Sequence, residues 1–156
     1  MQISLDDPRR DDVLALLTEH LDDMYATSPA ESVHALDPDA LARPEISFWT
    51  LREDGALLGC AALKELDPAH AEIKSMRSAN AARRRGVGVR LLDHLVAVAR
   101  ERGYARLSLE TGTEDYFLPA RTLYGSRGFV ACEPFADYTH DPNSAFLTLE
   151  LAAASA

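Results

Sequence analysis

The chain has 156 residues, and 25 acidic against 16 basic side chains give it a formal charge of −9 at pH 7. A field of that sign repels polyanions and excludes nucleic acid as the main ligand, and no apolar run approaches the ~20 residues of a membrane span. A hydrophobic fraction of 47% with 26% charged residues excludes a disordered chain and fits one core in one domain over residues 1–151, with the Ala/Ser run 152–156 read as a frayed tail.

In chain order, Gln2 to Leu5 reads as a short strand. Asp7-Pro8 then supplies an N-cap and a proline for the first helical position. The helix that follows carries Val13, Leu16, Leu17, Leu21 and Met24 on one face, with His20 among them, to about Ala26. Thr27 to Leu36 reads as a loop or broken helix, and Asp37-Pro38 starts a helical turn that ends before Pro44. Ile46 to Arg52 and Ala56 to Leu66 are strands joined at Asp54-Gly55, a strong hairpin signal. Ala71 to Ser78 is the third strand of this meander.

A helix with Val87, Leu91, Leu95 and Val98 on one face runs to Gly103, which ends it from the C′ position. Ala105 to Leu109 is a buried strand. Pro119 opens a further helix that Gly128 closes, and Phe129 to Cys132 and Ala145 to Leu151 are the last strands. The order β-α-α-β-β-β-α-β-α-β-β, a meander followed by a right-handed β-α-β crossover, predicts an α/β sandwich with a mixed sheet.

Met1-Gln-Ile-Ser lacks the basic and apolar regions of a secretory signal, which places the expected location in the cytoplasm. Cys60 and Cys132 stand alone in apolar segments as small buried hydrophobes, and the five histidines form no i, i+4 pair, so no metal is assigned.

The most informative stretch is Arg83-Arg84-Arg85-Gly86-Val87-Gly88. It follows a strand and opens a helix, where unpaired N–H groups and the helix dipole favour an anion and the glycines let that anion reach the backbone. It lacks the lysine of a P-loop, and Leu91 stands where a dinucleotide fingerprint needs its third small residue. On the preceding strand Glu72 has two readings: a carboxylate that takes the proton of an ammonium, or a solvent-facing partner of Lys74 two residues on.

Arg83, Gly86 and Gly88 occupy the three specified positions of the [Gln/Arg]-x-x-Gly-x-[Gly/Ala] signature of GNAT acetyltransferases, which the chain resembles over nearly its whole length. Ala120-Arg121-Thr122-Leu123-Tyr124 with Gly128-Phe129 looks like another segment of that family. Glu72-Ile73-Lys74-Ser75-Met76-Arg77 and Asp141-Pro142-Asn143-Ser144 are similar to a little-characterised bacterial branch of it. The resemblance implies the GNAT fold and transfer of an acetyl group from acetyl-CoA to an amine. It implies that Met76, Arg77 and Ser78, together with Arg83, Arg84, Arg85, Gly86, Val87, Gly88, Val89 and Arg90, hold the cosubstrate, with the Met76 N–H facing the oxyanion where two strands splay. Glu72 then falls on a general-base position of the histone-acetylating branch. Tyr124 falls on a tyrosine that protonates the leaving thiolate, its alternative being an aromatic anchor. An asparagine common between the fifth strand and the next helix has no counterpart here.

Ser28, Glu31, Lys74, Tyr138 and Asn143 are placed around the acceptor by the implied fold. Lys74 or Arg77 pairing with a carboxylate would indicate an amino-acid-like acceptor, whereas the overall acidity points to a cationic amine. The acceptor stays open between these, with a small molecule preferred. A non-catalytic acyl-CoA-binding module and a protein-lysine or N-terminus acetyltransferase are the alternatives, and a homodimer is expected by analogy with relatives.

Overall fold

The computed structural model describes residues 1–34 and 37–151. Seven strands and four α-helices follow one another as β1 (Gln2–Leu5), α1 (Asp11–Thr27), α2 (Pro38–Leu41), β2 (Ile46–Glu53), β3 (Ala56–Asp67), β4 (His70–Ser78), α3 (Val87–Glu101), β5 (Arg106–Gly112), α4 (Leu118–Ser126), β6 (Val130–Ala131) and β7 (Ser144–Glu150). This is the expected order. The end of the loop at Leu36 and the tail from Ala152 lie outside the described residues.

Local chemistry accounts for most of the boundaries. Asp54 and Gly55 both adopt positive φ, 52° and 83°, which joins β2 to β3 without splaying them. Asp37 caps α2 by accepting the Ala40 N–H at 2.7 Å. One expectation fails: α1 is not capped by Asp7. The Asp7 carboxylate instead accepts the Arg9 N–H at 2.9 Å, and the Arg10 N–H closes on the Asp7 carbonyl at 3.2 Å. Asp7 thus spends its capping capacity on a separate turn, and the helix starts at Asp11.

The sheet order is β1-β2-β3-β4-β5-β7-β6, antiparallel throughout except for the β4–β5 pair. Each face carries its own core. On one, Leu91, Leu92 and Leu95 of α3 pack fully buried with Trp49, Leu63, Leu107 and Leu109, each such leucine contributing about 1.5–3 kcal/mol of transfer free energy. On the other, Val13, Leu16 and Leu17 of α1 and Leu41 of α2 cover Ile46, Phe48, Cys60 and Ala62. Gly59 sets how closely α3 approaches β3: a Cβ there would sit 2.6 Å from Val87 Cγ1 and 2.8 Å from the Arg77 carbonyl.

Two irregularities shape the middle of the sheet. Cys60 pairs with Arg77 and Ala62 with Lys74, so Ser75 and Met76 oppose Ala61 alone, with Ser75 at φ 52°. This bulge adds one residue to the alternation and brings Arg77 onto the face already carrying Glu72 and Lys74. The parallel ladder of β4 and β5 then ends at Ile73 and Leu109. Past that point the strands part.

Candidate active site

A cavity of about 510 Å³ occupies the gap between the diverging strands, with Lys74 to Ser78 on one side and Leu109 to Gly112 on the other. His20, Met24 and Ser28 line it from α1 and the residue beyond it, and Ala120, Leu123 and Tyr124 line it from α4. Strand edges that have lost each other present backbone amides to whatever fills the gap.

At one end the backbone supplies the chemistry. Gly86 at φ 78° precedes the first residue of α3, and the Arg90 N–H is the first to close onto the helix, at 3.1 Å from the Gly86 carbonyl. The N–H groups of Val87, Gly88 and Val89 therefore have no partner within the helix. A Cβ on Gly88 would reach Leu123 Cδ2 at 3.3 Å and narrow the passage between α3 and α4. Met76, Arg77, Ser78, Arg83, Arg84 and Gly88 line the cavity.

The other five residues assigned to the cosubstrate take different positions. Arg85 points to Glu53 at 2.9 Å, Gly86 forms the turn, Val87 is buried against the sheet, and Val89 and Arg90 are exposed on the first turn of α3. None of the five is among the residues lining the cavity.

At the other end side chains from distant segments meet. Glu72 is 2% exposed, which removes its solvent-facing reading. Its Oε2 accepts the Tyr138 hydroxyl at 2.6 Å and Lys74 Nζ at 3.3 Å, and Lys74 Nζ also donates to the Tyr138 oxygen at 2.8 Å. Burial, followed by the neighbouring Glu72 charge, holds the Tyr138 phenol protonated far above its ordinary range. Ser28 and Asn143 also line this cavity, whereas Glu31 lies in an adjoining depression with Ser32, His34 and Asp141.

Sequence reasoning missed Glu110. It follows the last β5 residue paired with β4, on the same face as Ser108 and Glu72, lines the cavity, and accepts the Ser144 hydroxyl at 2.8 Å. Burial pushes its carboxyl above the usual range, against the opposing pull of the Ser144 hydrogen bond. The signal was present as Arg106, Ser108 and Glu110, polar at every second position beside the apolar Leu107 and Leu109.

Arg77 differs from expectation in its side chain. The residue is 6% exposed, and its guanidinium donates to Glu19 and Asp23 of α1, each at 2.6 Å, to Asn80 at 3.2 Å and to the Tyr116 hydroxyl at 3.0 Å. It meets carboxylates, but they belong to its own chain. Beside it, burial and then the Arg77 charge push the His20 imidazole down to about 4. Tyr124 is an aromatic anchor, packed against Phe129 at 5.7 Å between ring centroids, and it also borders the cavity. Burial raises its phenol well above 10, so it holds its proton.

Among the described residues no cluster of three or more metal-ligating side chains exists, and no helix is long and apolar enough to cross a membrane.

A model of the acetyltransferase (GNAT) family matches residues 13–129. The uncharacterized N-acetyltransferase YsnE of Bacillus subtilis (strain 168) is 52% identical over 151 residues, covering 97% of this chain and 100% of that one. The uncharacterized N-acetyltransferase YedL of Escherichia coli (strain K12) is 48% identical over 149 residues, covering 96% and 94%. A solved GNAT family acetyltransferase from Elizabethkingia anophelis with acetyl-CoA bound superposes with a TM-score of 0.66 at 18% identity, covering 96% of this chain and 97% of that one.

Proposed function

The chain belongs to the acetyltransferase (GNAT) family of N-acetyltransferases, and from that premise we propose that it moves the acetyl group of acetyl-CoA to the primary amine of a small molecule by direct attack. The observation that carries this reading is the single cleft on which the α3 N-terminus, the parted edge of β4, Glu72 and Tyr124 all converge.

The cosubstrate fits the groups present. Unpaired N–H groups at the start of α3, with Arg83 and Arg84 beside them, suit a pyrophosphate. The free edge of β4 suits the amides of a pantetheine arm, and Gly88 leaves the passage open for it. The thioester then lies where the strands diverge, with the Met76 N–H facing its oxygen.

Glu72 takes a proton from the acceptor ammonium and so frees the nitrogen lone pair. That nitrogen attacks the thioester carbon, a C–N bond forms, and negative charge builds on the oxygen facing Met76. The C–S bond breaks as the tetrahedral species collapses, Tyr124 gives its proton to the departing thiolate, and the remaining excess proton leaves the new amide nitrogen to solvent. Tyr138 and Lys74 both bond Oε2 of Glu72, and among the described residues Oε1 receives no donor. Oε1 is the oxygen available to the acceptor.

The test is calorimetric titration of acetyl-CoA, CoA and ATP into the protein, followed by thiol release over a panel of primary amines. Acetyl-CoA and CoA should bind, ATP should not, and at least one amine should release thiol. Absence of acetyl-CoA binding would overturn the reading.

A further inference from the structure

The cations of the acceptor half are already matched within the chain. Lys74 is held by Glu72 and Tyr138, and Arg77 by Glu19, Asp23 and Tyr116. Both cations already face carboxylates of the chain itself, Arg77 keeping only its buried Nε without a partner. Glu110 and Asp141, in contrast, have no lysine or arginine partner among the described residues. Asp141 makes do with the Ser32 hydroxyl at 2.5 Å and the Asn143 N–H at 2.8 Å.

Glu110 is the stronger of the two candidates because it is enclosed. Its side chain is 9% exposed and borders the cavity, yet only Oε2 is satisfied, by Ser144. His34 Nδ1 lies 3.6 Å from Oε1, within ion-pair distance when the imidazole carries a proton but too far for a hydrogen bond, and it has no other partner. An enclosed carboxyl with one oxygen that no hydrogen bond reaches calls for a donor, and a permanently charged cation satisfies it best because it also offsets desolvation of the charge. Burial already strains the charged form, as the upward shift of this carboxyl indicates.

The register fixes where that donor stands. Glu72 pairs with Ser108, so Glu110 is its diagonal neighbour on the same face, at a Cα separation of at least about 7–8 Å where the strands part. One carboxylate serves the reacting nitrogen and the other stands a short spacer away. We propose that Glu110 is the subsite for a second, non-reacting ammonium of the acceptor, which makes the substrate class a diamine or longer polyamine. This rests on the acetyl-transfer reading above and selects among its acceptors.

The experiment compares three acceptors of equal chain length with acetyl-CoA: 1,4-diaminobutane, butylamine and 4-aminobutanoate. Thiol release should give a kcat/KM for the diamine about tenfold or more above butylamine, with the carboxylate compound lowest. Glu110→Gln, which keeps the shape and the Ser144 bond, should erase most of the diamine advantage while CoA binding and melting temperature hold. Calorimetry of 1,4-diaminobutane into the CoA-saturated protein should show the same loss without any turnover.

Equal rates for diamine and butylamine, a preference for 4-aminobutanoate, or an unchanged ratio in Glu110→Gln would overturn the subsite and leave acetyl transfer standing. If Glu110→Gln does not fold, the wild-type ratios decide alone. Failure of acetyl-CoA to bind would overturn both readings at once.

Discussion

At one end of the cleft the groups offered to a ligand come from a single run of sequence: backbone N–H groups at the start of α3 and the exposed Arg83 and Arg84. At the other end Glu72 and Lys74 come from β4, Glu110 from β5, Tyr138 from the loop before β7, and His34 from the segment between α1 and α2. The first end is open, basic and built of dipoles that exist wherever a helix begins. The second is enclosed, acidic, and exists only once distant segments have packed. The same cavity thus joins a set of donors that needs little of the fold to a cluster that needs nearly all of it.

That contrast can be broken from either side, and the largest effect belongs to the enclosed end. Glu72→Gln and Tyr124→Phe should each lower turnover by about 10²–10⁴, the usual contribution of acid–base catalysis, with CoA affinity almost unchanged. Steady-state kinetics beside calorimetric CoA titration reads both quantities. Unchanged turnover in both variants would remove these two assignments.

A smaller effect is expected at the open end. Replacing Arg83 and Arg84 together by alanine should weaken CoA binding by about tenfold at low salt, and the loss should shrink as salt rises because exposed charges are screened. Turnover at saturating acetyl-CoA should hold. A drop in turnover with unchanged CoA affinity would reverse the roles given to the two ends.

The smallest effect is on stability. The His20 imidazole, ordinarily near 6.5, titrates at about 4 in the folded chain because burial disfavours its charged form. Between those values the unfolded chain binds a proton that the folded chain refuses. Stability contributed by this residue is therefore complete above 6.5 and falls as pH drops toward 4, by at most about 1.4 kcal/mol per pH unit. Asp23, whose carboxyl is held below 3.8 chiefly by its hydrogen bond from Arg77, loses its contribution only at lower pH still. Denaturant melts across this range should show a shallower slope in His20→Gln, and hydrogen exchange should place the early loss in α1.

The same division governs what could be read from the chain before folding. Asp54-Gly55, the glycines at 86, 88 and 103, and the apolar spacing of α1 and α3 act over a few residues, so the element order and the glycine turn into α3 were legible. Glu110 was not, because its chemistry depends on Ser144 and His34 arriving beside it. Arg77 was legible as a charge but not as a spent one, since Glu19 and Asp23 lie more than fifty positions away. The bulge at Ser75 left no local mark, because serine at positive φ is dictated by the pairing of its neighbours with β3. Asp7 was misread because two local uses of one carboxylate compete, and the turn with Arg9 prevailed.

The guanidinium of Arg77 grips α1 through Glu19 and Asp23, and it grips the segment before α4 through Tyr116, whose hydroxyl also reaches Asp23 at 3.2 Å. One side chain rooted in the sheet is therefore the rivet for two walls of the cleft. Neither wall can shift without loosening the other's fastening. Removing the Arg77 side chain would therefore slacken both walls of the cavity at once.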